Sequence, residues 1–172
     1  MSRLLGESNV ADKIPIKALR NEMKRRAAQA KFVMVIVHDR EGVRMSLRYG
    51  KVIKNMWQSP GGKIDRESSM EAALRELEEE TGLVAEPEDF KFLVNDLNYN
   101  CDVYILKVHS NIELNFMEPN KNGEWEKFTF EAYERMVREG HTTPTHIIYI
   151  ELILYKIKLK PQNSKRKVTK QS

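Results

Sequence analysis

Three glutamates, Glu76, Glu79 and Glu80, stand at positions i, i+3 and i+4 of one segment. If that segment is helical, residues at these spacings share a face, so the three carboxylates lie close together. Like charges at that range repel one another, and a bound cation removes the repulsion. Carboxylate oxygens are ligands of the kind that Mg²⁺ and Mn²⁺ prefer. The spacing therefore predicts a divalent-metal site with these glutamates as catalytic ligands.

A run of acidic residues is more often a solvated helix face than a site. Two features favour a site here. The acids lie toward the C-terminal half of the predicted helix, where the helix dipole disfavours them, and Arg75 is the base that offsets them nearby. A glycine pair, Gly61 and Gly62, also precedes the helix, and backbone without side chains lets a phosphate or a metal-bound water approach closely. We therefore expect both glycines to contact substrate.

The helix that must position these glutamates has clear local signals. Ser68 followed by Glu71 is a capping-box pattern, and Gly82 is a typical helix stop because glycine tolerates the left-handed conformation. Between these ends, apolar residues recur at helical spacing as one stripe, formed by Met70, Ala73, Leu74 and Leu77. The pattern predicts one amphipathic helix that presents its acids beside a buried stripe.

The same stretch resembles the signature of the Nudix hydrolases at every fixed position. Gly61 is followed after five residues by Glu67, and after seven more by the run Arg75 to Leu83, which reads RELEEETGL. The resemblance implies an α/β fold, an α/β/α sandwich with a mixed β-sheet flanked by helices. It also implies Mg²⁺ or Mn²⁺ as cofactor and a small nucleotide as substrate. In this family Arg75 would orient the glutamates through an ion pair with Glu67.

What the resemblance implies about activity is hydrolysis of a phosphoanhydride bond in a substrate linked to a nucleoside diphosphate. The small size of the chain and the stretch Glu118 to Phe128 look most like MutT-like nucleoside triphosphate pyrophosphohydrolases. These release a monophosphate and pyrophosphate, and some of them remove oxidised nucleotides. Hydrolysis of dinucleoside polyphosphates or of an mRNA cap is the alternative. A non-catalytic nucleotide-binding module is a third reading, although such modules usually lose the glutamates that this chain keeps.

The stretch Glu118 to Phe128, reading EPNKNGEWEKF, is a second candidate region. In several relatives of this family a carboxylate from the corresponding loop completes the metal site. Glu118 and Glu124 are both candidates, and spacing alone does not choose between them. We include Glu124 with the three helix glutamates in the expected metal set. The alternative is that both acids are solvated loop residues and that Trp125 anchors the core.

Basic residues flank the acidic helix and suit an anionic substrate. Arg48 lies before the glycine pair and Lys63 directly follows it, so we expect both to contact phosphate. Exposed lysines in loops usually have no specific role, which makes Lys63 the weaker candidate. Two histidines, His141 and His146, are five residues apart and do not share a helix face, so they are interpreted as structural rather than as ligands.

The chain of 172 residues, 41% hydrophobic and 31% charged, fits one globular domain, and no apolar run approaches the length of a membrane span. Residues 1–30 are interpreted as an N-terminal extension with a basic amphipathic helix, residues 31–160 as the Nudix domain, and residues 161–172 as a basic disordered tail. That tail is a candidate for weak RNA contact. A single cysteine, Cys101, suits a reducing compartment, and we expect a cytoplasmic protein, with the nucleus as the alternative.

Apolar alternation predicts the remaining order of elements. A hairpin is expected over residues 31–48, and two further strands are expected over residues 90–97 and 102–108. A short helix is expected over residues 130–139. The isoleucine-rich segment 146–158 suits a strand by composition, but Thr143 and Pro144 are a typical helix start, so we predict a helix.

Overall fold

The computed structural model describes residues 17, 18, 21, 30–50 and 54–159. The predicted basic tail lies outside these residues, as does nearly all of the predicted N-terminal helix. Both therefore stay predictions. None of the helices in the described part of the chain is long and apolar enough to span a membrane.

One mixed β-sheet forms the centre of the fold. Its strands are β1 (Phe32–His38), β2 (Gly42–Arg48), β3 (Met56–Gln58), β4 (Gly61–Lys63), β5 (Phe90–Asp96), β6 (Cys101–Lys107) and β7 (Asn122–Thr129). Their order is β3-β2-β1-β6-β5, with β4 paired to β1 and β7 paired to β2. Strands β1 and β6 run parallel, and the other pairs are antiparallel.

Helices cover both faces of the sheet. They are α1 (Ser69–Thr81), α2 (Phe130–Arg138) and α3 (Pro144–Lys158). Strand β1 shows why two layers form, because its side chains alternate between two cores. Val33, Val35 and Val37 pack with α1, whereas Met34 and Ile36 pack with α2 and α3. A central strand covered on both faces is a nearly continuous apolar run, and β1 is apolar from Phe32 to Val37. The predicted α/β/α sandwich is confirmed.

The local predictions for α1 are confirmed in detail. The Ser68 side chain accepts a hydrogen bond from the backbone N–H of Glu71, and the Glu71 side chain accepts one from the backbone N–H of Ser68. The helix ends at Gly82, which has a φ of 68°. The isoleucine-rich segment is helical, as its Thr-Pro start predicts. His146 is buried inside it, where its Nδ1 lies 2.7 Å from the Tyr133 hydroxyl oxygen.

Candidate functional site

The N-terminal end of α1 is bound to the sheet by a polar cluster. The Ser69 hydroxyl donates to the carboxylate of Asp102 on β6 at 2.6 Å, and its oxygen lies 2.8 Å from the Tyr104 hydroxyl. Asn95 on β5 donates to the other Asp102 oxygen at 2.8 Å. Burial raises the pKa of Asp102, while these two hydrogen bonds act to lower it. The first turn of the helix is therefore fixed against β5 and β6.

The C-terminal end of α1 is held from the other side of the fold. The indole Nε1 of Trp125 on β7 donates to the backbone carbonyl of Glu80 at 3.1 Å. The backbone N–H of Asn115 donates to the carbonyl of Thr81 at 2.8 Å. Carbonyls in the last turn of a helix have no partner inside the helix, so these donors satisfy them. With both ends held, the glutamates of α1 occupy defined positions.

Arg75 lies at the centre of the acidic residues. Its guanidinium is 2.6 Å from Glu67, 2.7 Å from Glu76 and 3.1 Å from Glu79, measured between the nearest nitrogen and oxygen atoms. Its Nη2 also donates to the backbone carbonyl of Lys63 at 3.0 Å. The hydrogen bonds to Glu67 are the main cause that raises the pKa of Arg75 above its usual range, and the same bonds lower the pKa of Glu67. Arg75 thus links α1 to the glycine-containing segment before it.

Glu80 is the buried member of the set. Only 7% of the residue is exposed, and its Oε2 has no hydrogen-bond partner among the described residues. A backbone hydrogen bond from Gly61 acts to lower its pKa. Burial, followed by the charges of Glu76 and Glu118, outweighs this bond and raises the pKa of Glu80 to about 8. A buried carboxylate oxygen without a donor is costly, and a cation would stabilise it.

The two glycines permit different close approaches. A Cβ on Gly62 would lie 2.3 Å from Oε1 of Glu76, so a side chain there would displace that carboxylate. A Cβ on Gly61 would lie 2.3 Å from the backbone oxygen of Val33 on β1. The first glycine of the pair therefore serves the packing of β4 against β1. The second leaves room for a functional carboxylate.

The loop before β7 brings Glu118 toward Glu80. Lys121 donates to Glu118 at 2.6 Å, and this bond is the main cause that raises the pKa of Lys121; the charges of Glu80 and Glu76 add to it. The structure thus brings Glu118 and Lys121 into the electrostatic surroundings of the α1 glutamates. Glu124, in contrast, lies on the wall of a cavity together with Arg44.

The remaining expected substrate contacts, Arg48 and Lys63, lie in different places, the first near this loop and the second beside Arg75. Arg48 donates to Gln58 at 3.1 Å, and Gln58 donates to Asn122 at 2.8 Å, which joins β2, β3 and β7 through their side chains. The backbone N–H of Tyr49 donates to the carbonyl of Lys121, so the end of β2 borders the loop that carries Glu118. Lys63 contributes its carbonyl to Arg75, while the residue as a whole is exposed.

Among the residues that the structure describes, no three His, Cys, Asp or Glu side chains stand together as a ready metal cluster. Arg75 binds Glu76 and Glu79, and Glu80 is buried. Two residues that contribute to the site, Lys121 and Trp125, were not assigned to it from the sequence. The signal for Lys121 is its position three residues after Glu118; the contact of the Trp125 indole with Glu80 has no local signal.

The comparisons with known proteins concern the family and the fold of the chain. The family model of the NUDIX domain matches residues 28–148, well over half of the chain. No curated protein matches the chain. A MutT/nudix family protein from Enterococcus faecalis is 23% identical with a TM-score of 0.50; the match covers 58% of this chain and 43% of that one, so this chain spans less than half the length of that protein.

Two further solved structures share the fold. An Ap4A hydrolase from C. elegans is 11% identical with a TM-score of 0.55, and the match covers 74% of this chain and 97% of that one. The NUDIX domain of NrtR from Shewanella oneidensis, solved with ADP ribose, is 18% identical with a TM-score of 0.55, and the match covers 83% and 98% of the two chains. The chain belongs to the Nudix hydrolase family, whose pyrophosphohydrolases act on substrates built on a nucleoside diphosphate.

Proposed function

We propose that this Nudix hydrolase converts a nucleoside triphosphate to the monophosphate and pyrophosphate, with Mg²⁺ or Mn²⁺ as cofactor. The observation that carries the proposal is the buried carboxylate of Glu80. Its Oε2 has no partner in the described part of the chain, and its pKa is raised by burial and by the charges of Glu76 and Glu118. Such an arrangement is costly for folding alone. It is the arrangement expected where a divalent cation binds.

The donor set fits a hard divalent cation. Glu76, Glu80 and Glu118 would hold it, because all three offer carboxylate oxygens and the charges of Glu76 and Glu118 act on Glu80. Glu79 is more exposed, at 56% of its side chain, and Arg75 binds it. When bound, the cation would neutralise part of the negative charge on the phosphates, which otherwise repels an attacking water.

The protein's own residues do the positioning. Arg75 and Glu67 fix the orientation of Glu76 and Glu79, so that these carboxylates need not reorganise during the reaction. A carboxylate of this set accepts the proton of the attacking water. Lys121 lies beside Glu118, and its ammonium can bind a phosphate oxygen once the substrate is present. Arg48, at the border of the same loop, is a second phosphate contact in this proposal.

The choice of a nucleoside triphosphate rests on the compact domain and on the stretch that carries Glu118 and Trp125. Removal of oxidised nucleotides is one form of this activity. Hydrolysis of dinucleoside polyphosphates is the second candidate, because the C. elegans Ap4A hydrolase shares the fold over 74% of this chain. Fold alone does not fix the substrate, so product analysis must separate the two candidates.

Product analysis by ³¹P NMR tests the proposal. The chain is incubated with Mg²⁺ and, in separate reactions, with nucleoside triphosphates, dinucleoside polyphosphates, ADP ribose and capped RNA. We expect monophosphate and pyrophosphate from at least one triphosphate. The product that carries ¹⁸O from labelled water, monophosphate or pyrophosphate, then identifies the phosphorus that is attacked. If a dinucleoside polyphosphate or capped RNA is cleaved faster than every triphosphate, that molecule is the substrate and the triphosphate is not. Absence of turnover despite nucleotide binding would favour the non-catalytic module.

A further inference from the structure

The outer face of α3, formed by Ile148, Tyr155 and the adjoining Leu159, carries apolar side chains that the described fold leaves uncovered. These residues are 48%, 61% and 50% exposed. Ile148 precedes a kink at Tyr149 and the other two follow it, and their spacing of seven and four residues places all three on one side. The opposite side, which includes Ile153, is buried against the sheet. Exposed apolar residues that gather on one surface mark an interaction site, whereas single ones do not.

Basic side chains flank this face and continue after it. Lys156 and Lys158 are exposed, and the Lys156 ammonium lies 5.8 Å from the centre of the Tyr155 ring. Residues 152–172 contain no acid but seven basic residues: Lys156, Lys158, Lys160, Lys165, Arg166, Lys167 and Lys170. The last five lie outside the described residues, but their charge follows from the sequence. The outer face is therefore followed by a segment of uniformly positive charge.

Two acids border the outer face, and neighbouring bases pair with both. Glu134 on α2 and Glu151 on α3 line a cavity that also touches the outer face. Both acids pair with Arg138, and Lys158 lies 4.0 Å from Glu134. This border between α2 and α3 thus combines two acids with two bases. Lys156 and the five basic residues of the segment 160–172 add to that balanced set, so the charge around the outer face is net positive.

The combination of apolar and basic groups decides among the classes of partner. RNA would bind the basic residues but would leave Ile148 and Leu159 in water. A second copy of the chain would cover the apolar side chains but would add an equal set of positive charges. The surface of a bilayer with anionic lipids satisfies both, because its phosphates attract lysines and its acyl boundary accepts apolar side chains. Tyrosine and lysine suit this boundary, since their polar ends reach the headgroups while the rest of the side chain is buried.

We propose that the outer face of α3, together with residues 160–172, binds to a bilayer that contains anionic lipid. The helix lies along the membrane surface, with Tyr155 and Leu159 in the headgroup boundary. Helix α1 packs on the opposite side of the sheet, against Val33 and Val35, so the candidate active site remains accessible to nucleotide in the aqueous phase. This surface binding is separate from the hydrolysis and does not depend on it.

Sedimentation of the full chain with vesicles tests the proposal. One set of vesicles is phosphatidylcholine, and the other is an equimolar mixture of phosphatidylcholine and phosphatidylserine. We expect at least about tenfold tighter binding to the mixture, and weaker binding as the salt concentration rises, because salt screens the attraction. No binding to the mixture, or equal binding to both sets, overturns the proposal. The assay needs no nucleotide, so failure of surface binding and failure of the proposed hydrolysis are distinguishable.

Two variants test whether the outer face is the contact. The double variant Tyr155→Ser, Leu159→Ser removes two exposed apolar side chains and should weaken binding to the mixed vesicles by about tenfold or more. Phe92→Ser is the control, because Phe92 is 41% exposed but lies on β5, where its ring contacts Tyr104 on the α1 side of the sheet. Thermal unfolding checks that both proteins are folded. Native affinity in the double variant, or an equal loss in Phe92→Ser, contradicts the proposal.

The charge of residues 160–172 is tested in the same assay. Lys165→Gln, Arg166→Gln and Lys167→Gln, combined in one chain, should weaken binding to the mixed vesicles by about tenfold or more, since each basic residue near an anionic surface adds to the affinity. Native affinity in this triple variant contradicts the proposal.

The other two classes of partner are tested with the same double variant. Sedimentation equilibrium of the lipid-free chain detects a second copy: a dimer that Tyr155→Ser with Leu159→Ser dissociates would assign the outer face to that copy and overturn the proposal. Single-stranded RNA that binds more tightly than the mixed vesicles, with no loss of RNA affinity in the double variant, would likewise overturn it. We expect neither result, because only a membrane surface uses the apolar and the basic residues together.

Discussion

The guanidinium of Arg75 binds the carboxylate of Glu67 with two nitrogens. Its Nη2 lies 2.6 Å from Oε1 and its Nε 3.2 Å from Oε2. The third nitrogen, Nη1, contacts Glu76 and Glu79. Glu67 lies before the first turn of α1, so a residue outside the helix controls the position of carboxylates inside it. The pair is a positioning device for the site.

Arg75→Lys should lower kcat/KM by about 10–100-fold, the usual effect of removing a supporting partner of a metal site. Lysine keeps the positive charge but cannot form the two-nitrogen contact with Glu67. Steady-state kinetics of the purified variant measure kcat/KM, and thermal unfolding shows whether the variant is as stable as the native protein. Arg138→Lys is the control, because Arg138 makes exposed pairs with Glu134 and Glu151 on α2 and α3. Native activity in Arg75→Lys would show that the two-nitrogen contact of Arg75 with Glu67 has no role in catalysis.

The glycine pair should separate function from stability. Gly62→Ala places a Cβ against the Glu76 side chain, which can move, so we expect lower activity and weaker Mn²⁺ binding with little change in Tm. Gly61→Ala places a Cβ against the Val33 backbone, which cannot move easily, so we expect a lower Tm. Calorimetric Mn²⁺ titration and thermal unfolding compare the two variants. The opposite pattern would contradict the assigned roles.

Glu118→Gln and Glu124→Gln form a matched pair for the loop carboxylate. Glu118 acts on the pKa of Glu80, whereas Glu124 lies in the separate cavity, so we expect only the first variant to weaken Mn²⁺ binding and turnover. Each substitution replaces one oxygen by nitrogen and keeps the size of the side chain. If Glu124→Gln lost metal affinity and Glu118→Gln did not, the sequence-based choice of Glu124 would be right.

His146 should make the stability of the protein depend on pH. The residue is fully buried, and burial lowers the pKa of its imidazole from 6.5 to about 3. Below pH 6.5 the unfolded chain therefore binds a proton that the folded chain excludes, so the free energy of unfolding falls as the pH falls. Between about pH 7 and about pH 5 the loss from this group is about 2 kcal/mol.

Urea unfolding at these two pH values measures the effect. The variant His146→Gln should be less stable near neutral pH, because Tyr133 loses its partner, but its stability should change less with pH. His141→Gln is the control, since His141 is exposed, and it should keep the native dependence. An unchanged dependence in His146→Gln would mean that other groups cause it.

Local features of the site could be predicted from the sequence because they depend on neighbours along the chain. The capping box at Ser68, the stop at Gly82 and the ion pair of Arg75 with Glu67 all lie within one short stretch. The Nudix resemblance supplied the fold, because its signature fixes a strand-to-helix segment whose surroundings are shared by the family. The helix at Pro144 followed from its start rather than from its isoleucine-rich composition.

Contacts between distant parts of the chain could not be predicted in this way. Trp125 and Glu80 are 45 residues apart, and their hydrogen bond exists because β7 pairs with β2 and thereby reaches the end of α1. The same packing puts Glu118 near Glu80 and turns Glu124 toward Arg44. The difference between Glu118, in the loop, and Glu124, on β7, is thus set by the sheet. The spacing of Glu118 and Glu124 along the chain does not reveal this difference.

The most direct test of metal-dependent hydrolysis at Glu80 is to measure pyrophosphate release from nucleoside triphosphates with Mg²⁺ and to compare the native chain with Glu80→Gln. In the native chain we expect turnover that a chelator abolishes. We expect Glu80→Gln to lower the rate by about a hundredfold or more. We also expect equal or higher thermal stability in Glu80→Gln, because the variant removes a buried carboxylate whose Oε2 has no hydrogen-bond partner among the described residues. Equal rates in both proteins, or turnover that needs no metal, would contradict metal-dependent hydrolysis at Glu80.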